Sequence, residues 1–279
     1  MAARSLATYL YLFLLAIIWG SAYPLTKYLI GYFSPALIAF FRAALGFLVL
    51  SLFARPAPLD GKTALIGVLN MGATVLLINL SLLLSKSPGL VSVLMYTQPI
   101  FTLAISATML RMRIGGGEAL GMAIGVFGVV FSAVGGGLSP ADLLPVLGGF
   151  LWALGTVLYR KWLVDRPVVS VTTTMNGATA AFLLPAALIS HRAVLALRPL
   201  LLLIALAVLA QGLAWLLWFK SVSLVGPVRA GEFSLLVPVF SYLFSYLFLG
   251  VIPSAYQIAG SALILTGILL VYAFGARQG

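Results

Sequence analysis

The sequence predicts an all-α polytopic membrane protein with ten transmembrane helices in two inverted five-helix repeats. Three observations carry that expectation. Uncharged runs recur at the length of a bilayer crossing, 63% of the 279 residues are hydrophobic against 8% charged, and the second half echoes the first. With a mean hydropathy of +1.18, the chain lies far from soluble domains, where charged residues approach about a quarter.

A hydrocarbon core about 30 Å thick takes roughly 20 apolar helical residues per crossing, so the intervals between charges mark the spans. Residues 5–26, 63–85, 87–110 and 119–141 are uncharged and give helices one, three, four and five; residues 35–54 give helix two, which contains Arg42. Residues 143–159, 167–190 and 199–219 give helices six to eight. The run 233–276 is too long for one crossing, and Gly250, Pro253 and Ser254 divide it into helices nine and ten. Continuous apolarity argues against the alternating dyads of a membrane β-barrel. The first run continues through Trp19 to full length, so no cleavable signal peptide is expected. Zero cysteines exclude disulfides and thiolate chemistry.

Ten spans put both termini on one side of the membrane. That side collects Arg4, Arg55, Lys62, Arg111, Arg113, Arg160, Lys161, Arg166, Lys220, Arg229 and Arg277, against Lys27, Lys86, Arg192 and Arg198 on the other. The bias predicts a cytoplasmic-membrane protein with cytoplasmic termini. Topology and anionic headgroups then account for the net charge of +11, and nucleic acid is not an expected partner.

Pro99, Glu118, Gly121 and Gly128 have counterparts 139 residues on, at Pro238, Gln257, Gly260 and Gly267, while Trp19 pairs with Trp152 and Lys27 with Arg160 at 133. The expected division is residues 1–137 and 138–279. Five helices per repeat force opposite orientations, an arrangement that places a site near the midplane between the repeats.

The stretches AIIWGSAYPLTK (16–27), AFFRAALGF (39–47), GEALGMAIGVFGVVF (117–131) and YQIAGSALILTGILLVY (256–272), with a proline midway along helices four and nine, resemble the EamA branch of the drug/metabolite transporter superfamily. The resemblance covers essentially the whole chain. It implies a transporter of small organic metabolites, often an exporter of amino acids, with a cavity lined mainly by helices one, three, four, six, eight and nine. One departure is spacing: Lys86 precedes Pro99 by 13 residues and Lys220 precedes Pro238 by 18, which predicts a connection shorter by five in the first half.

Candidate site residues follow from depth and chemistry. Pro99 and Pro238 each remove a helical hydrogen bond, and freed carbonyls at membrane depth mark either a cavity wall or a packing kink. Arg42, near the middle of its span, either bonds helix-end carbonyls or binds a substrate carboxylate. Trp19, Tyr23, Asn79, Tyr96, Gln98, Trp152, Asn176, Gln211, Trp215, Phe233 and Tyr242 supply aromatic and amide surface suited to an amphiphilic metabolite, with interfacial belts and helix packing as the alternatives. By the resemblance, Trp19, Tyr96, Trp152 and Trp215 fall on cavity helices. Glu232 is an acidic residue at membrane depth, a candidate for proton coupling or for holding a substrate amine, or else an i, i+3 partner of Arg229.

The sequence has no Walker loop and no acidic metal cluster, and its one histidine, His191, falls in a predicted external loop. Transport is therefore expected to be facilitated or secondary, without a cofactor, metal or obligatory protein partner, and with protons as a candidate coupling ion. Asp60, Asp142 and Asp165 sit in separate loops, which speaks against a lipid-modifying enzyme. The leading expectation is efflux of amino acids, aromatic ones included, or of related metabolites. Import or exchange of nucleosides, organic cations or sugars is the second expectation, with a membrane scaffold behind it.

Overall fold

The computed structural model describes residues 2–85, 87–113, 115–134, 139–190 and 192–275. Expectations placed on Lys86, His191, Arg277 and the 137/138 boundary lie outside these residues. Among the described residues the helices group into ten rods. Rod one is α1 (Ala2–Leu29) and rod two α2 (Pro35–Ser51). Rod three joins α3 (Gly61–Gly67) to α4 (Thr74–Leu84) through a π-helical stretch (Val68–Ala73), rod four is α5 (Pro88–Met95) and α6 (Gln98–Met109), and rod five is α7 (Gly116–Val134). Rod six sets a 3₁₀ turn (Pro140–Asp142) before α8 (Leu143–Trp162), and rod seven is α9 (Val168–Leu188). Rod eight joins α10 (Leu197–Leu206) to α11 (Ala214–Val225) through a second π-helical stretch (Ala207–Leu213). Rod nine is α12 (Pro227–Ser234) and α13 (Leu236–Leu249), and rod ten is α14 (Ala255–Gly275). Rods one, three, four, six, eight and nine are long and apolar enough to cross a membrane, while α2 and α7 are shorter apolar helices. Exposed Phe13, Leu48, Phe127, Leu243 and Phe248 give the bundle an apolar exterior suited to lipid.

Local chemistry explains where the rods start and stop. Ser34 accepts from the Leu37 N–H ahead of Pro35, and Ser87 accepts from Leu90 N–H ahead of Pro88, each joining an N-cap to a proline in the first turn. Asp60 caps α3 through Thr63 N–H and pairs with Arg166 at 2.7 Å. The Thr63 hydrogen bond, and after it the Arg166 guanidinium, hold its carboxyl down at about 2. Gly226 at φ 85° turns α11 into α12, and Gly250 at φ 67° ends α13, both in a region open to glycine.

Two cations close helix ends. Lys27 Nζ at the end of α1 donates to Leu82 O and Ser85 O at the end of α4. Arg160 Nη1 at the end of α8 donates to Ser223 O near the end of α11. α7 and α14 approach so closely that a Cβ on Gly128 would stand 2.7 Å from Gly260 O, and one on Gly267 would stand 2.5 Å from Gly121 O.

The predicted shorter connection in the first half is not what the fold contains. The π-helical stretches begin at Val68 and Ala207, and the helices after them at Pro88 and Pro227, so both pairs keep the 139-residue offset. Lys220 lies inside α11, so its distance to Pro238 does not measure a connection.

Candidate functional site

On α1 the positions 19, 22, 23 and 26 recur at i, i+3, i+4 and i+7, which lines them up along one face. Trp19, Ala22, Tyr23 and Thr26 form one wall of a cavity enclosing about 440 Å³ of empty space, mouth included. Arg42 of α2, Thr74, Val75 and Ile78 of α4, Met95 and Tyr96 at the end of α5, Trp152 of α8 and Trp215 of α11 complete it.

The aromatic members hold one another edge to face. Trp19 lies 5.3 Å from Trp152 and 5.0 Å from Trp215, and Tyr96 lies 5.4 Å from Trp152, spacings at which ring quadrupoles attract. Trp218 backs the cluster at 4.8 Å from Trp152. Its indole N–H donates to Thr156 Oγ1, which donates to Asn70 Oδ1. Trp19 Nε1 donates to Ala210 O inside the second π-helical stretch, an irregularity common at functional sites. Arg42 is 5% exposed, and its Nε finds no hydrogen-bond partner among the described residues.

Six of the predicted site residues therefore come together: Trp19, Tyr23, Arg42, Tyr96, Trp152 and Trp215. The others lie off this wall. Asn79 Nδ2 donates to Pro35 O, tying α4 to the start of α2, and Gln211 Nε2 donates to Asn176 Oδ1. Gln98 donates to Thr102 and faces Gly231. Phe233 packs on Tyr9 at 4.6 Å, and Tyr242 is buried against Gly89. Glu232 is 1% exposed and neither of its oxygens accepts a hydrogen bond among the described residues. The guanidinium of Arg229 lies 3.8 Å from Glu118 Oε1 on α7.

The two prolines act unequally. Rod four breaks at Tyr96 and Thr97, with Pro99 in the first turn of α6, and rod nine breaks at Leu235, with Pro238 in the first turn of α13. Each break sits just ahead of a residue that has no N–H to give the preceding turn. The first break supplies Met95 and Tyr96 to the cavity, whereas none of its described wall residues comes from the second. α8 packs directly on the first break, because a Cβ at Gly149 would lie 2.7 Å from Met95 O.

Ala22 and Thr26 are not among the predicted site residues, although their spacing from Trp19 and Tyr23 signals a shared face. Thr74, Val75 and Ile78 carry no comparable signal, because they follow a π-helical stretch whose wider turn changes the register of the helix beyond it.

The model of the EamA-like transporter family matches the chain twice, over residues 6–134 and 139–273. The chain is 29% identical to YvbV of Bacillus subtilis (strain 168), an uncharacterized transporter, over 95% of this chain and 91% of that protein. It is 25% identical to a probable amino-acid metabolite efflux pump of Salmonella typhimurium (strain LT2), over 95% of each. A solved crystal structure shares the fold with a TM-score of 0.80 at 20% identity, over 98% of both chains.

Proposed function

The chain belongs to the EamA-like transporter family, and from that premise we propose that it moves small organic metabolites across the cytoplasmic membrane by secondary, alternating-access transport. It is a multi-pass membrane transporter and not an enzyme. Efflux of amino acids or related metabolites is the favoured direction and substrate group, since a relative over nearly the whole chain is named for that activity. Import or exchange of another solute class is the alternative. In this reading both termini are cytoplasmic, and residues 1–137 and 138–279 are oppositely oriented repeats that rock about the shared site.

The observation that carries the proposal is the cavity itself, in which residues from both halves meet around a buried arginine. Trp19, Tyr23, Arg42, Tyr96, Trp152 and Trp215 are its proposed substrate contacts. Asn79, Gln98, Gln211 and Phe233 are proposed to reach the substrate in another conformation of the cycle. Pro99 and Pro238 are the proposed points at which rods four and nine flex. Glu232 is the proposed proton-coupling residue, because charge at membrane depth is expensive and its oxygens have no donor to relieve it among the described residues.

Counterflow in proteoliposomes loaded with labelled amino acids, nucleosides and quaternary amines is the test. Exchange of at least one amino acid or amino-acid derivative is expected, while no exchange of any compound would overturn the proposal. Glu232→Gln should flatten the pH dependence of that exchange. An unchanged pH profile would return Glu232 to a structural role.

A further inference from the structure

The cavity, taken as the transport site, also constrains the charge of the substrate. Among the described residues of the wall, three buried polar atoms lack partners: Arg42 Nε, Trp152 Nε1 and Trp215 Nε1. All three are donors, and none of them can accept. Buried polar groups are almost always satisfied, so three orphaned donors on one wall define what is missing from it, an acceptor-rich group. Arg42 brings a full positive charge, and no Asp or Glu lines the wall among its described residues. Orphaned acceptors do occur in the chain, on Asn79, Gln98, Gln211 and Glu232, and they stand off the wall.

We propose, resting on the reading of this cavity as the transport site, that it takes a small organic carboxylate with an aromatic or apolar body. The carboxylate sits on Arg42 and the two indole N–H groups, and the body lies along the apolar lining of Ala22, Val75, Ile78 and Met95. A guanidinium meets a carboxylate through charge-assisted and often bidentate hydrogen bonds. An ammonium placed in the same cavity meets the like charge of Arg42 and no carboxylate. A zwitterion therefore gains at one end and loses at the other, and the favoured substrate is a monoanion.

The test is a matched series: 3-phenylpropionate, phenylalanine, 3-phenylpropan-1-ol and 3-phenylpropylamine, titrated against the full chain in lipid nanodiscs. Intrinsic tryptophan fluorescence reports binding, because three indoles form the wall. Phenylpropionate should bind about tenfold or more tighter than the alcohol, the factor that corresponds to ~1.4 kcal/mol, with phenylalanine between them and the amine weakest. Arg42→Gln should abolish the preference for the anion over the alcohol, and cooperative thermal unfolding in detergent shows whether the variant is folded. If Arg42→Gln does not fold, Arg42→Lys should reduce the anion preference over the alcohol severalfold, since it keeps the charge and loses the fork. Equal or tighter binding of the amine or the zwitterion, binding of none of the four, or an anion preference that survives these substitutions would overturn the assignment. Counterflow of any other solute would still stand in those cases, so the transport reading is judged separately.

Discussion

Residues 6–134 and 139–273 match the same family model, and their backbones keep step. α2 and α9 start 133 residues apart, at Pro35 and Val168, and the π-helical stretches start 139 apart, at Val68 and Ala207. Lys27 and its counterpart Arg160 each close a neighbouring helix end. The buried charges do not follow. At the same offsets Arg42 corresponds to Met175 and Glu232 to Val93, both fully buried apolar side chains. The devices that shape the backbone are duplicated, and the side chains that carry charge into the membrane are not. Scaffold and chemistry are therefore separable in this molecule, and paired substitutions can break or sharpen that separation.

The largest effect belongs to the tryptophan pair. Trp19→Ala and Trp152→Ala should each lower stability by ~3–5 kcal/mol, as expected for emptying a buried aromatic site. Trp19→Ala should be the worse by about 1 kcal/mol, because it also removes the bond to Ala210 O. Thermal unfolding in detergent measures both, and equal losses would mean that the Ala210 bond contributes nothing net. Next come Gly128→Ala and Gly267→Ala, each of which drives a methyl into the backbone of the facing helix. A loss of ~1–3 kcal/mol each is expected, and similar values for the two would mark the α7 and α14 contact as symmetric scaffold.

Smaller effects should localise. Lys27→Met and Arg160→Met each remove a charged helix-end donor worth about 1 kcal/mol or slightly more. Hydrogen exchange should rise after Leu82 in the first variant and around Ser223 in the second, each leaving the other site unchanged. The smallest is Asp60→Asn, which removes an ion pair whose partners are 37% and 39% exposed and so loses no more than about 1 kcal/mol. Because the folded carboxyl sits at about 2, below its ordinary ~3.9, its contribution is present above about pH 4. It fades as the pH falls through about 2, so the wild type and the variant should converge there.

The rods were legible because charge is costly in lipid and the sequence places it between them. The depth of Arg42 and the breaks ahead of Pro99 and Pro238 were legible for the same reason, each being a visible exception in an apolar run. Much of the rest depends on register. Val68–Ala73 and Ala207–Leu213 widen their helices without a compositional sign, so the direction of Thr74, Ile78 or Trp215 could not be read from spacing. Asn79 and Gln211 tie neighbouring helices together in this conformation, a role that spacing does not separate from ligand contact, because an amide in an apolar run serves either. The contact of Arg229 with Glu118 spans rods nine and five, a pairing that sequence proximity to Glu232 obscured.

The unequal charges also bear on how such a chain can exist as one polypeptide. Were the two halves separate identical chains assembled as an antiparallel pair, any buried ionisable group would be present twice, and its transfer out of water would be opposed twice over. Joining the halves lets Arg42 and Glu232 each occur once, with Met175 and Val93 at the mirrored positions. Covalent fusion thereby halves the number of buried ionisable side chains that the bilayer must tolerate.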